Sequence, residues 1–143
     1  PTRRSSDLSF SAPSAKVVLE SVWSYPYKTT GRYLGFGSFE KFDEMQWKGS
    51  CAIAEADPNV DLVSPIGKAF ALARSGYGFD SAYNWLLYTD NYHPHRYGAY
   101  LKACVNYLLI FGEPFGPNPA DCDVPPEIAA RLRAAAEKIV LGK

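Results

Sequence analysis

The sequence predicts an α/β fold, one domain built around a parallel sheet. Three observations carry that expectation. Short β-branched apolar segments alternate with segments of helical period in the order strand, helix, strand, helix. The strand candidates lack the strict in/out alternation of a half-solvated sheet, so they read as buried strands. The length, 143 residues, suits one hydrophobic core and is short for two.

The first strand is expected in AKVVLESVW, residues 15 to 23, bounded by Pro13 and by SYPYKTTG. Gly31, Gly35 and Gly37 then mark a long irregular loop. Ser38 reads as a helix N-cap, although Lys41 stands where a capping box places Glu. From there Phe39, Phe42, Met45, Ala52, Ile53 and Ala56 recur at helical spacing, and Asp57-Pro58-Asn59 closes the helix. VDLVSPIG, residues 60 to 67, reads as a second strand running into a turn. KAFALARSG, residues 68 to 76, reads as a short helix closed by Gly76.

YNWLLYT, residues 83 to 89, is a candidate short helix. Pro94 suits a first helical position. After it Tyr97, Tyr100, Leu101, Cys104, Val105, Leu108 and Leu109 make an i, i+3, i+4, i+7 stripe that ends at Gly112. A Pro-rich loop, residues 113 to 126, leads to a last helix expected from Pro126 to Val140. Its apolar face carries Ile128, Leu132, Ala135 and Ile139. Two parallel strands make a poor sheet alone, so further strands are expected outside this sequence.

Composition excludes several classes. Lys and Arg number 15, as do Asp and Glu, and the pI is about 7.2, which lacks the basic face of a nucleic-acid binder. A membrane span needs roughly 20 consecutive apolar residues, and no run comes near that. Cys51, Cys104 and Cys122 make no disulfide framework and match no zinc spacing. Cys51 and Cys104 read as small buried hydrophobes, while Cys122 falls in a polar loop.

PTRRSSDL, residues 1 to 8, differs in character from the rest of the chain. It has no apolar h-region or cleavage site, so it is no signal peptide. It resembles the in-frame translation of a short-read sequencing adapter, CCT ACA CGA CGC TCT TCC GAT CT. Without its Arg3, Arg4 and Asp7, the 15 basic and 15 acidic residues become 13 and 14. Residues 1 to 8 are therefore expected to be an artefact, and residues 9 to 143 the C-terminal portion of a longer single domain. Any signal peptide would lie upstream, so the sequence assigns no compartment.

The chemistry concentrates in DNYHPHRYGAYL, residues 90 to 101, which holds both histidines. A histidine base needs a partner that fixes its tautomer and stabilises its charged form. Asp90, three residues before His93, can reach Nδ1 within one turn of a loop and leave Nε2 for a substrate. Pro94 pushes His93 out of the α region and onto the loop before the helix. Loops at strand ends are where α/β sites form. Alone, an Asp-x-x-His pair is also common as an ordinary loop contact.

Residues 86 to 116 resemble the C-terminal block of the SGNH/GDSL hydrolase superfamily, and most of all its DUF4886 branch. The likeness rests on Tyr88, Asp90, His93, Pro94, Gly98, Tyr100, Leu101, Ala103 and Cys104 in type and order. SVWSYP (21 to 26), DEMQ (43 to 46) and SPIGKAF (64 to 70) look like that branch's Trp-bearing strand end, Met-Gln helix and Pro-x-Gly-x-Ala turn. The likeness spans about residues 16 to 140. It implies the C-terminal part of a three-layer α/β/α, flavodoxin-like sheet and a Ser-His-Asp esterase acting on small-molecule or carbohydrate-linked esters, with no cofactor. His93 would be the general base and later the acid, and Asp90 would orient it. No serine here sits in the superfamily's G-[DN]-S-[LF] context. A triad without its nucleophile retains little catalysis, so this chain alone is expected to be inactive.

Three other readings stand beside this one. His93, His95 and Asp90 could hold zinc, but Arg96 next to His95 repels a cation. Trp23, Tyr25, Tyr27, Tyr33, Phe36 and Trp47 could line a carbohydrate- or protein-binding surface in a non-catalytic relative, or simply pack. Trp23 and Tyr25, at a strand end, are the best candidates to line a substrate pocket. The whole protein could also be a catalytically dead scaffold.

Overall fold

The structure, a computed structural model, describes residues 15–24, 38–77, 90 and 92–143. Residues 1 to 8, Tyr25, Tyr27, Tyr33, Phe36 and the YNWLLYT segment lie outside them. The described chain is mixed α/β: β1 (Val18–Glu20), α1 (Phe39–Ala56), β2 (Leu62–Ser64), α2 (Ile66–Gly76), α3 (Arg96–Phe111) and α4 (Pro126–Leu141).

β1 and β2 pair in parallel, with Val18 opposite Leu62, Leu19 opposite Val63 and Glu20 opposite Ser64. The chain leaves the ladder in register: Ser21 N–H donates to Ser64 O at 2.9 Å, and Gly67 N–H donates to Ser21 O at 2.9 Å. The strands are three residues each, shorter than the sequence suggests. They are also less buried than expected. Val18 and Leu62 are each 36% exposed and Val22 is 44% exposed. Among the described residues the sheet has two strands, so its apolar side chains lack the neighbours that a wider sheet supplies.

Most of the apolar core lies among the three later helices. Ile66, Ala69, Phe70 and Ala73 of α2 meet Leu101, Val105 and Leu108 of α3 and Ala129, Leu132, Ala135 and Ala136 of α4, all without solvent exposure. The alanines on α4 let the helices approach closely, and the leucines fill the space between them. α3 ends as the sequence predicts, on Gly112, and α4 runs one residue past the expected Val140 to end before Gly142; both glycines stand at φ 70, in the left-handed region that glycine occupies without a Cβ penalty.

Two helix expectations need correction. α1 forms where predicted, and Ser38 Oγ caps it by accepting from Lys41 N–H at 3.2 Å. Its inward side, however, is mixed: Phe39, Phe42 and Trp47 are half-buried beside polar residues. Asp43 is its buried residue, with Gln46 and Ser50 half-buried, while Met45 and Ile53 are 53% and 55% exposed. Polar partners at the end of β1 and on α2 set that orientation. α3 begins at Arg96 with His95 as N-cap, so His95 stands before the first turn and Pro94 one residue further out.

A half-buried polar chain joins sheet and α3. Ser64 Oγ donates to Asn106 Oδ1 at 2.7 Å, Asn106 Nδ2 donates to Glu20 Oε1 at 3.0 Å, and Lys102 Nζ donates to Glu20 Oε2 at 2.7 Å. Burial alone would raise the pKa of Glu20, but the Lys102 and Asn106 hydrogen bonds outweigh it and hold the carboxyl below its usual range.

Candidate functional site

Asp90 and His93 meet in a tight turn ahead of α3. Asp90 Oδ2 lies 2.8 Å from His93 Nδ1. Asp90 Oδ1 accepts the backbone N–H of His93 at 2.8 Å and that of Tyr92 at 3.0 Å. One carboxylate therefore fixes both the backbone of the turn and the imidazole it carries, the usual ability of an aspartate to bond N–H groups two and three residues on. The backbone bond from His93 is the main reason the Asp90 carboxyl is held down at about pKa 2. The His93 imidazole is second, burial opposes slightly, and the Tyr92 N–H adds to the lowering. Asp90 is thus a carboxylate throughout the neutral range.

With Nδ1 turned to Asp90, the other ring nitrogen of His93 points outward. Nε2 has no partner among the described residues, and the side chain is 66% exposed. The Tyr92 ring packs edge-on against the imidazole, centroids 4.7 Å apart. This is the arrangement required of a general base: a carboxylate on one nitrogen, the other open.

Trp23, at the C-terminal end of β1, ties this turn to the sheet. Its indole Nε1–H donates to Tyr92 O at 2.8 Å, and its ring stacks on Phe70 of α2 at 5.3 Å. Its own carbonyl accepts from Gln46 Nε2 at 3.3 Å, and the same amide reaches the buried Ser24 Oγ at 3.3 Å. The strand end, α1, α2 and the histidine turn thus converge on one tryptophan. Tyr25 lies outside the described residues.

The turn from β2 into α2 closes the same corner. A Cβ on Gly67 would fall 2.4 Å from Val22 O and 3.4 Å from Asp43 Oδ1, so the backbone passes where only glycine fits. Beside it Lys68 Nζ reaches Asp43 Oδ2 at 2.8 Å and Glu44 Oε2 at 3.0 Å. Burial pulls the Lys68 pKa down, but the two carboxylates outweigh it and raise it above the ordinary lysine value.

Lys68 and Phe70 stand in the SPIGKAF segment already singled out, and Asp43 and Gln46 in DEMQ, although apolar periodicity alone passes over the last two. Their signal was the polar i, i+3 pair Asp43 and Gln46 inside an otherwise amphipathic helix. His95 takes no part in the pair. Among the described residues its Nδ1 is enclosed without a hydrogen-bond partner, and its ring meets Tyr97 edge-on at 5.6 Å. Among the described residues no group of three or more His, Cys, Asp or Glu side chains could hold a metal ion. No helix among them is long and apolar enough to cross a membrane.

Two larger concavities lie elsewhere. One of about 430 Å³ runs between α1 and α2, beside Asp43 and Lys68. The other, of about 420 Å³, opens between α3 and the Pro-rich connection. Neither is lined by Asp90 or His93, whose turn is open to solvent. No family model, no curated protein and no solved structure matches the chain.

Proposed function

We propose that Asp90 and His93 are two members of a Ser-His-Asp triad in an esterase of SGNH/GDSL type, most similar to the DUF4886 branch. The observation that carries the reading is the pair itself: Nδ1 of His93 held 2.8 Å from a strongly ionised Asp90, with Nε2 open to solvent. In that role Nε2 takes the proton from a serine hydroxyl as it attacks an ester carbonyl, and returns it to the leaving alkoxide. Asp90 stabilises the imidazolium formed between the two steps. The tether from Trp23 supports the reading, because it keeps the pair at the C-terminal end of β1, where α/β sites gather.

The finer fold belongs to the same proposal. Two parallel strands with half-exposed valines and leucine, a helix between them and helices after them are what one part of a three-layer α/β/α sheet would look like. The four segments that carry the resemblance also meet in one corner of the molecule, through Trp23, Gln46, Gly67 and Tyr92. The nucleophilic serine has no matching context in these 143 residues, so the proposal assigns it to a segment outside them.

The test uses the gene product read from an extended upstream frame and a chromogenic acyl ester. Activity is expected to fall by roughly 100- to 10,000-fold in His93→Ala, the range for removing a general base. The 143-residue chain alone is expected to show no turnover. Ester hydrolysis that survives His93→Ala at full rate would sink the proposal.

A further inference from the structure

The concavity of about 420 Å³ between α3 and the Pro-rich connection contains two of the three cysteines. Cys104 of α3 and Cys122 of the connection both line it, together with Tyr100, Tyr107, Phe115 and Asn118. The two thiols differ in access: Cys122 is exposed, and Cys104 is 4% exposed. Cys51, on α1, lines neither of the larger concavities.

The connection is held against α3 on both sides of Cys122. Tyr100 Oη donates to Ala120 O at 3.1 Å, and Arg133 of α4 binds both Asp121 and, at 2.6 Å, Tyr100 Oη. Val124 is buried, and its N–H returns to Asp121 O at 3.0 Å. Between these anchors Cys122 and Asp123 both take positive φ, 51 and 61, in a region non-glycine residues enter only when their surroundings impose it. The segment bearing Cys122 is therefore pinned beside the concavity that Cys104 also lines rather than loosely tethered.

We infer that Cys104 and Cys122 form a dithiol site, at which a low-molecular-weight disulfide is exchanged for an internal Cys104–Cys122 disulfide. Cys122 is the attacking group because solvent reaches it. Its thiolate attacks one sulfur of the external disulfide, that bond breaks, and the first small thiol leaves with a proton. Cys104 then gives up its proton, attacks the Cys122 sulfur and expels the second small thiol. Two cysteines are oxidised by two electrons, and one external disulfide is reduced to two thiols. Burial pushes the Cys104 thiol up to about pKa 12, which disfavours it as the first attacker; its attack in the second step rests on its place in the same concavity. The site uses neither Asp90 nor His93, so it stands or falls separately from the hydrolase proposal.

The experiment treats the folded 143-residue chain, as Cys51→Ser to leave two thiols, with oxidised glutathione. The product is cleaved with chymotrypsin between Cys104 and Cys122 and weighed. The expected product is the two peptides joined, with no glutathione retained. In Cys51→Ser/Cys122→Ser, Cys104 is expected to stay unmodified over the same time. Glutathione retained on Cys122 beside a free Cys104 thiol would overturn the inference, because the two sulfurs would then not reach each other. Equally fast modification of Cys104 in the absence of Cys122 would overturn the assigned order of attack.

Discussion

Around Leu101, Leu108 and Leu132 three helices interlock through apolar side chains with no solvent exposure. Around Trp23 a strand end, two helices and a histidine turn are held mainly by single hydrogen bonds and one ring stack. The first region gains stability from area removed from water and tolerates small shifts in angle. The second gains little from area, since Val18, Val22, Leu62, Met45 and Ile53 are all substantially exposed, but its bonds are directional. The helical region therefore sets whether the chain folds, and the Trp23 region sets where one imidazole points.

The largest effect should come from the helical region. Leu132→Ala removes a fully buried side chain from the face of α4 that meets α2 and α3. Truncating a core leucine costs about 2–5 kcal/mol, a large share of the roughly 5–15 kcal/mol that holds a domain of this size together. Urea denaturation should show the midpoint falling sharply, with the histidine turn lost in the same transition. A loss well under about 1 kcal/mol would mean that α4 is not part of the core.

The same division explains what the sequence disclosed. α3 and α4 were legible because apolar periodicity, with Gly112 at the end of α3, is a local signal, and their buried faces are the ones the stripes mark: Leu101, Cys104 and Leu108, then Leu132 and Ala135. The Asp90–His93 contact was legible because three residues of loop suffice to close it. α1 was legible as a helix but not in its orientation. Period shows that a helix has two sides, whereas the side that turns inward is set by Trp23 O, Ser24 Oγ and Lys68, which lie some 20 residues or more away in sequence. The link from Trp23 to Tyr92 spans 69 residues and has no local signature.

A middle-sized effect should appear when that link is cut. Trp23→Phe keeps an aromatic ring over Phe70 but removes the indole N–H that donates to Tyr92 O. A neutral hydrogen bond contributes about 0.5–1.5 kcal/mol net, so the helical core should melt nearly where it did. The histidine turn should loosen instead. Faster amide exchange at Tyr92 and His93, with unchanged exchange in α3 and α4, is the expected pattern. Equal loosening in both regions would show that the tryptophan is simply part of the core.

The smallest effect on stability, and the most local, belongs to Asp90. Its folded pKa is depressed from 3.8 to about 2, first by the His93 backbone N–H, then by the imidazole and the Tyr92 N–H. A depressed carboxylate stabilises the fold above its unfolded value and loses that contribution as pH falls, here between 3.8 and about 2. The side chain is 54% exposed, so water screens the interaction and the urea midpoint should not move measurably in Asp90→Asn. The neutral amide can still accept one backbone N–H, but it offers the imidazole no negative charge. Carbon NMR of the Asp90 carboxyl should therefore give a titration midpoint near 2 in the parent chain. An Asp90 midpoint at its ordinary value would mean that the turn does not close in solution, and the pair would lose the geometry on which its proposed chemistry depends.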